Sequence, residues 1–305
     1  MTHAPATRNG ISPSKLYLPK MAVQPESIFA YICGKFAHIS ADEWRARFDD
    51  GLVVATDGAV LGVDAPYQHG MTIYYYRALP SETVVPFVHR IVFENDDLLV
   101  VDKPHFLTVA PAGNYVVQTL LTRLKCQFDN DVISPIHRLD RETAGLIMFA
   151  KTHKARQAYQ SLFATRDVHK VYHAIAPVST SLQFPLELSL YLERGEPFYT
   201  MQVGNHTPNT HTKIDVLEYR DDGRFAKYEL HPSTGKLHQL RVHMNHLGIA
   251  IVNDSFYPTV SHKSDDDFSH PLQLLAKRLS FIDPLTGEMM AFESGFELDL
   301  AAVPS

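Results

Sequence analysis

Apolar and polar positions change their period along the chain, and those changes divide it. Residues 1–25 show no period: Pro5, Pro13, Pro19 and Pro25 interrupt any regular element, and the stretch reads as an extended arm. Ile28, Phe29, Ile32 and Phe36 then recur at helical spacing. Ser40 with Glu43 three residues later has the pattern of a capping box. It opens a second short helix that carries Trp44 and Phe48 and stops at Gly51. Residues 52–55 and 59–62, across Asp57-Gly58, read as a hairpin, and 71–77 as one more strand. Two short helices and a small sheet predict a compact α/β module over 26–80, with 81–86 as its linker.

From residue 87 onward strands dominate. Residues 89–94 and 98–102 flank the turn Asn95-Asp96-Asp97. A helix is expected over 119–128, an apolar strand over 146–150, and a helix over 154–165 with Thr152 as N-cap. Residues 169–176 alternate as a strand, 213–220 and 225–230 pair as a hairpin, and 272–281 pairs with 289–296 around 284–287. Leu237, Leu240, Met244 and Leu247 mark one face of a helix closed by Gly248. Adjacent hairpins favour an α+β domain over 87–300, a mainly antiparallel mixed sheet with flanking helices. No internal repeat is visible.

A chain of 305 residues suits two domains, and its 45% hydrophobic content supports a sizeable core rather than disorder. No run approaches the ~20 apolar residues of a membrane helix, and the first fifteen residues lack the apolar segment of a secretory signal, so no membrane association is expected. Cys33 and Cys126 stand far apart, which argues against a disulfide framework and for a reducing, cytoplasmic setting. A net charge of −6 excludes a protein coated in positive charge, but nucleic acid needs only a local basic face. Arg138, Arg141, Lys151, Lys154, Arg156, Arg166 and Lys170 crowd one stretch, whereas acidic runs sit elsewhere, at Asp221-Asp222 and Asp265-Asp266-Asp267.

Three segments carry candidate chemistry. In HRLDRETAG, residues 137–145, Asp140 is bracketed by Arg138 and Arg141 ahead of a buried strand. A flanking guanidinium favours the ionised acid and fixes its orientation. By itself such a string reads more plainly as an exposed salt-bridge cluster. In the strand 169–176 a period of two puts Lys170 and Tyr172 on one face, with Val171 and Ile175 on the core face. A tyrosine beside a lysine off the core suits stacking on a base near a phosphate, although an ordinary half-exposed strand tyrosine is the plainer reading. In HPSTGKLHQLRVH, residues 231–243, the apolar stripe leaves His238, Arg241 and Asn245 together on a different face. His238 and Gln239 fall in the first turn, where free N–H groups favour anions. Alone, this is a surface helix with polar decoration.

Together the three segments resemble the RluA-type pseudouridine synthase family. That family's first motif, H-R-L-D-R-x-T-S-G, differs here only at Ala144. Its K-x-Y strand matches Lys170 and Tyr172, and its T-G-R-x-H-Q-x-R-x-H runs from Thr234 to His243 with Lys236 in place of arginine. A fourth stretch, G-x-x-I-x-G-D-x-x-Y, appears as Gly248, Ile251, Asn253, Asp254 and Tyr257. Asparagine at 253 is among the few residues that tolerate the left-handed backbone of the family's glycine. A terminal leucine-rich motif matches Leu272, Leu274, Leu279, Phe281 and Pro284, with Leu275 where the family has histidine. The resemblance covers residues 87–297. Residues 26–80 more weakly resemble the S-four-type RNA-binding module found ahead of many such enzymes, through the run from Phe48 to Gly58.

The resemblance implies an enzyme with a central active-site cleft that isomerises specific uridines to pseudouridine in structured RNA, ribosomal or transfer. The glycosidic bond breaks, the uracil turns over and rejoins through carbon five. No redox change or group transfer occurs, so no cofactor and no metal are expected. Asp140 is implied as the carboxylate that attacks or stabilises the anomeric carbon, or that removes a proton from the neighbouring sugar carbon. Arg241 is implied as its partner, Tyr172 as the face that stacks on the detached uracil and could help remove the carbon-five proton, and Leu274 as an apolar contact to the base. The target must be flipped out or already unpaired. Arg138 would then fill the vacated space or hold the displaced strand, Arg141, Lys170 and Lys236 would contact phosphate, and His238 and Gln239 would line the substrate site. A monomer is expected.

Two rivals come from other classes. The seventeen histidines invite a metal-dependent hydrolase built on His238, His243 and His246 with Asp254, but their spacing matches no recognised zinc set. An RNA-binding module without catalysis predicts damage to the acid, tyrosine or arginine motif, and Asp140, Tyr172 and Arg241 are all present.

Overall fold

The computed structural model describes residues 5–79 and 81–303; the first four residues of the expected arm and Pro80, at the expected end of the N-terminal module, lie outside the described residues. The chain falls into two units, Met1–Glu82 with Pro111–Asp131, and Thr83–Ala110 with Val132–Ser305.

In the first unit, β1 (Ser14–Tyr17), α1 (Ile28–Lys35), α2 (Ala41–Asp49), β2 (Val53–Ala55) and β3 (Thr72–Tyr75) follow one another. The three strands form an antiparallel sheet in the order β1-β3-β2. Ser27 caps α1, and Ser40 with Glu43 closes a reciprocal capping box on α2. Ile28, Ile32, Trp44 and Phe48 bury against Leu16, Leu18, Val53 and Ile73. The expected arm thus contributes an inner residue to a sheet. A four-residue strand with Leu16 alone buried is too short to show a period. The second half of the expected 52–62 hairpin reduces to a single bridge, Val54 to Val60.

Residues 111–131 belong to this unit as well. They include α3 (Leu120–Phe128), capped by Thr119. The Glu82 carboxylate accepts the N–H groups of Val116, Val117 and Gln118, and Lys125 Nζ donates to Ser12 Oγ at 2.7 Å. The helix was legible in the sequence; which unit it would join was not.

The second unit runs β4 (Arg90–Glu94), β5 (Leu98–Lys103), β6 (Ser134–Pro135), β7 (Ala144–Ala150), α4 (His153–Thr165), β8 (Val168–Pro177), β9 (Leu186–Arg194), β10 (Met201–Gly204), β11 (Thr210–Tyr219), β12 (Phe225–Pro232), α5 (Gln239–His246), β13 (Leu274–Ile282) and β14 (Met289–Glu293). Its sheet has the order β10-β9-β11-β12-β8-β13-β7-β5-β4, with β14 on β13 and β6 on β7. Every pairing is antiparallel except β13 with β7. The α+β class with a large, mostly antiparallel sheet is therefore observed. No element was expected over 186–204, although Leu186, Leu188, Leu190 and Leu192 alternate at the period of a strand.

The parallel pair explains one glycine. Gly145 has φ +106, and a Cβ there would lie 2.7 Å from the main-chain nitrogen of Ala276, its partner on β13. No other residue fits both the backbone angle and the approach.

Two cores share one face of the sheet. Val168 of β8 joins Leu98, Val100, Leu146 and Met148 beneath Tyr159 and Leu162 of α4. Ala174 and Ala176 of the same strand join Ile214, Tyr228 and Leu230 beneath Leu240 and Met244 of α5. Residues 168, 170, 172, 174 and 176 point the same way by the strand's period, so Lys170 and Tyr172 fall in the gap between the helices. Among the described residues no helix is long and apolar enough to cross a membrane.

Candidate active site

The gap is an open cleft of about 540 Å³, part of it open to solvent. Lys170 and Tyr172 come from β8, Leu274 from the start of β13, residues 138–140 and Thr143 from the loop ahead of β7, and residues 234–241 from the turn that becomes α5. Of the ten residues singled out in the sequence, Arg138, Asp140, Lys170, Tyr172, Lys236, His238, Gln239, Arg241 and Leu274 line it. Arg141 is not in the wall: its Nη2 donates to the Asp265 carbonyl at 3.0 Å and its guanidinium lies 5.6 Å from the Phe106 ring centre.

Arg241 organises the charge. Its side chain is 2% exposed. Nε and Nη2 donate to the two oxygens of Asp254 at 2.8 and 2.6 Å, Nη2 also reaches Glu142 Oε2 at 3.2 Å, and Nη1 reaches Asp140 Oδ2 at 3.4 Å. The Phe256 ring centre is 4.7 Å from the guanidinium carbon, a cation–π contact. Burial works against the charge, but the hydrogen bonds donated to Asp254 and the charges of Asp254, Asp140 and Glu142 outweigh it and raise the pKa above its ordinary value. The pairing with Asp140 is present, yet it is the longest of four. Glu142 gave no signal in the sequence, and Asp254 stood there as a motif position and a metal suspect rather than as the arginine's main partner.

The loop bearing Asp140 is held from below. Fully buried Lys103 donates to the carbonyls of Pro104 and Arg141 at 2.9 and 3.1 Å. Its burial brings it down to about 7, against the pull of the Asp140 charge. His105 Nδ1 donates to the Glu142 carbonyl at 2.6 Å, and Ser255 Oγ donates to Glu142 Oε2 at 2.6 Å. His137 stacks on Phe163 with ring centres 4.6 Å apart. Its Nε2 accepts the N–H of Met148 at 3.1 Å, so its proton sits on Nδ1, and burial holds it down to about 4. These supports come from residues distant in sequence, which no local pattern exposes.

Tyr172 is half-buried and packs on the second core, not on an exposed face as its strand position alone suggested. Burial, and then the nearby Asp140 charge, push its phenol well above the ordinary range, so the ring stays neutral. Lys170 Nζ donates to the Thr234 carbonyl at 3.0 Å and is brought down to about 8, first by burial and then by Arg166.

At the head of α5, Gln239 accepts from Thr234 Oγ1 (2.8 Å) and the Lys236 N–H (3.2 Å) and donates to the His211 carbonyl and Thr212 Oγ1 (both 3.0 Å). With all four hydrogen-bonding positions used, it braces the turn rather than reading a base. Lys236 is exposed at the rim. His238 is not in the helix proper: it adopts the left-handed conformation, φ 52, ψ 17, just ahead of it. It therefore escapes the helical period, and Asn245, grouped with it in the sequence, instead lines a separate cleft beside β10. Asn253 has φ 62, the left-handed backbone expected of it. The supposed metal histidines are occupied separately: His243 Nε2 bonds Thr210 Oγ1 at 2.8 Å and His238 Nδ1 bonds Tyr257 Oη at 2.9 Å. Among the described residues no group of three or more His, Cys, Asp or Glu could hold a metal ion.

Comparison with known proteins gives a consistent result. A family model described as RNA pseudouridylate synthase matches residues 97–246. The dual-specificity RNA pseudouridine synthase RluA of Vibrio parahaemolyticus is 34% identical over 210 residues, 64% of this chain and 78% of that protein. The ribosomal large subunit pseudouridine synthase D of Neisseria meningitidis serogroup B is 30% identical over 287 residues, 87% of this chain and 75% of that one. Among solved structures, human RNA pseudouridylate synthase domain containing 1 superposes with a TM-score of 0.56 at 26% identity, over 71% of this chain and 86% of that chain.

Proposed function

Because this chain belongs to the RNA pseudouridylate synthase family and isomerises uridine to pseudouridine in RNA, we propose that Asp140, Tyr172 and Arg241 carry that reaction in the cleft between α4 and α5. The observation that carries the reading is convergence. Three side chains from three separate segments line one cleft, and the ion pair within it joins residues 101 positions apart. Asp140 acts on the electron-poor anomeric carbon, directly or by taking the neighbouring sugar proton. Arg241, shielded from solvent, holds and aims it. Tyr172 stacks on the detached uracil; its raised pKa favours this role over proton removal in the unliganded protein. Leu274 supports the base from the floor of the cleft.

The target nucleotide is flipped or already unpaired, since the cleft cannot admit a stacked, paired base. Arg138, with 64% of its side chain exposed at the mouth, fills the vacated space. Lys170 and Lys236 contact phosphate, while Arg141 acts through the loop it belongs to. The substrate class is structured RNA, ribosomal or transfer; the name of the Neisseria relative above is in keeping with the ribosomal choice. Residues 26–80 serve as an S-four-like RNA-binding module and 87–300, apart from the 111–131 stretch that belongs to the first unit, as the catalytic domain, acting as a monomer in a reducing cytoplasm where Cys33 and Cys126 stay free. The reaction asks for no cofactor.

The test is tritium release from RNA labelled at carbon five of uridine, with total RNA from a strain lacking the gene as substrate. Release by wild type and none by Asp140→Ala, with RNA binding retained, is expected. Substantial turnover by Asp140→Ala would sink the assignment.

A further inference from the structure

Asp140 has a second neighbour besides Arg241. His238 Nε2 lies 3.7 Å from Asp140 Oδ2, the same oxygen that Arg241 Nη1 approaches at 3.4 Å. On the other side of the imidazole, Nδ1 is 2.9 Å from Tyr257 Oη, and Tyr257 Oη accepts the main-chain N–H of Met201, in β10, at 2.8 Å. The geometry points to His238 as a positioning residue for Asp140: Tyr257 donates to Nδ1, the ring carries its proton on Nε2, and that N–H is aimed at Asp140 Oδ2. The proposal rests on Asp140 being the catalytic carboxylate.

The proton count selects this arrangement. Met201 can only donate, so one lone pair of the tyrosine oxygen is filled and the phenolic hydrogen still needs an acceptor. If Nδ1 carried the imidazole proton, it would donate to the second lone pair. The tyrosine hydrogen would then have no acceptor among its hydrogen-bond partners in the described residues. The bare lone pair of Nε2 would also face the carboxylate, like against like. With the proton on Nε2 each hydrogen is used, and a partial positive charge faces Asp140. His238 and Tyr257 are both buried, so water does not make up a lost hydrogen bond there. Burial also holds His238 down to about 4, which keeps the doubly protonated ring out of consideration near neutral pH.

The backbone supports the same reading. His238 has φ 52 with no side-chain cap on the helix it precedes, a conformation a non-glycine residue holds at some cost. Its side chain is turned instead to Asp140 and Tyr257. The consequence is an asymmetry in the carboxylate. Oδ2 is approached from the protein side by Arg241 and His238, whereas the ion-pair partner of Oδ1 among the described residues is Arg138, 3.7 Å away at the exposed mouth. Oδ1 is then the oxygen presented to the sugar. The 3.7 Å separation closes to a hydrogen bond when substrate fills the cleft, as catalytic contacts commonly do.

The direct test is nitrogen-15 NMR of histidine-labelled wild type near neutral pH. The His238 signals are assigned by their loss in whichever of His238→Gln and His238→Asn folds. A protonated Nε2 with an unprotonated Nδ1 is expected, and Tyr257→Phe should shift the balance between the two. A proton on Nδ1, or on both, would overturn the proposal whatever the kinetics. In single-turnover assays His238→Gln, whose amide nitrogen falls near the place of Nε2, should stay within about threefold of wild type. His238→Asn and Tyr257→Phe should lose about tenfold or more in rate, the equivalent of one hydrogen bond to a charged group, with the KM for RNA unchanged. Equal losses in the glutamine and asparagine variants, or a change confined to KM, would overturn it. Turnover by Asp140→Ala would instead refute the parent assignment, so the two failures are distinguishable.

Discussion

Replacing Arg241 by lysine tests whether the buried guanidinium works through geometry or through charge alone. Arg241 makes four contacts to three carboxylates, two of them a fork onto Asp254, whose side chain is 1% exposed. A lysine keeps the charge but is a point donor on a flexible stem and cannot reproduce the fork. At least one bond to Asp254 and the reach to Asp140 go together. Asp254 would keep the N–H groups of Phe256 and Tyr257 at 2.8 and 3.1 Å, so the site should not collapse. A hydrogen bond to a charged group contributes about 1.5–3 kcal/mol. Loss at Asp254 should thus lower folding stability by roughly 2–3 kcal/mol. Loss at Asp140 should lower kcat by about 10- to 150-fold. Because the side chain is shut away from solvent, the KM for RNA should hardly move. Single-turnover tritium release at saturating enzyme gives the rate, and urea unfolding gives the stability. Arg241→Lys turning over within about threefold of wild type, with unchanged stability, would refute the reasoning.

Tyr172→Phe keeps the stacking face and should retain most activity, whereas Tyr172→Ala should lose at least about tenfold more in kcat; equal losses in the same tritium assay would contradict stacking. Lys103 holds its proton up to 10.5 in its ordinary state but only to about 7 in the folded chain. Between those values the unfolded chain binds the extra proton, so this group makes stability climb as pH rises from about 7 toward 10.5, by up to ~1.4 kcal/mol per pH unit. Lys103→Met should flatten that part of the profile in urea titrations at pH 7, 8 and 9, and an identical slope in both proteins would reject the assignment.

Much of this molecule is written locally. The helix at 28–35 announces itself by apolar spacing, and those at 41–49 and 153–165 by Ser40 and Thr152 at their starts, because a helix satisfies its own backbone and its signals sit within a few residues of one another. Alternation likewise exposes most strands, and linear motifs carry Asp140, Tyr172 and Arg241 as well as the family. The same locality limits the reading. Leu16 enters a sheet whose partner strand is more than fifty residues away, and α3 joins the first unit, since period says what is buried and not against what. Nor does any motif state that Arg241 is shared between Asp254, Glu142 and Asp140, that Gln239 is fully spent on the turn before it, or that Lys103 and His105 brace the loop of Asp140. Sequence alone singled out Asp140, Tyr172 and Arg241 and the family whose reaction they suit. Only the tertiary structure decided which oxygen of Asp140 is approached by Arg241 and His238, because charge and hydrogen bonding act through distances of a few ångströms that chain separation does not encode.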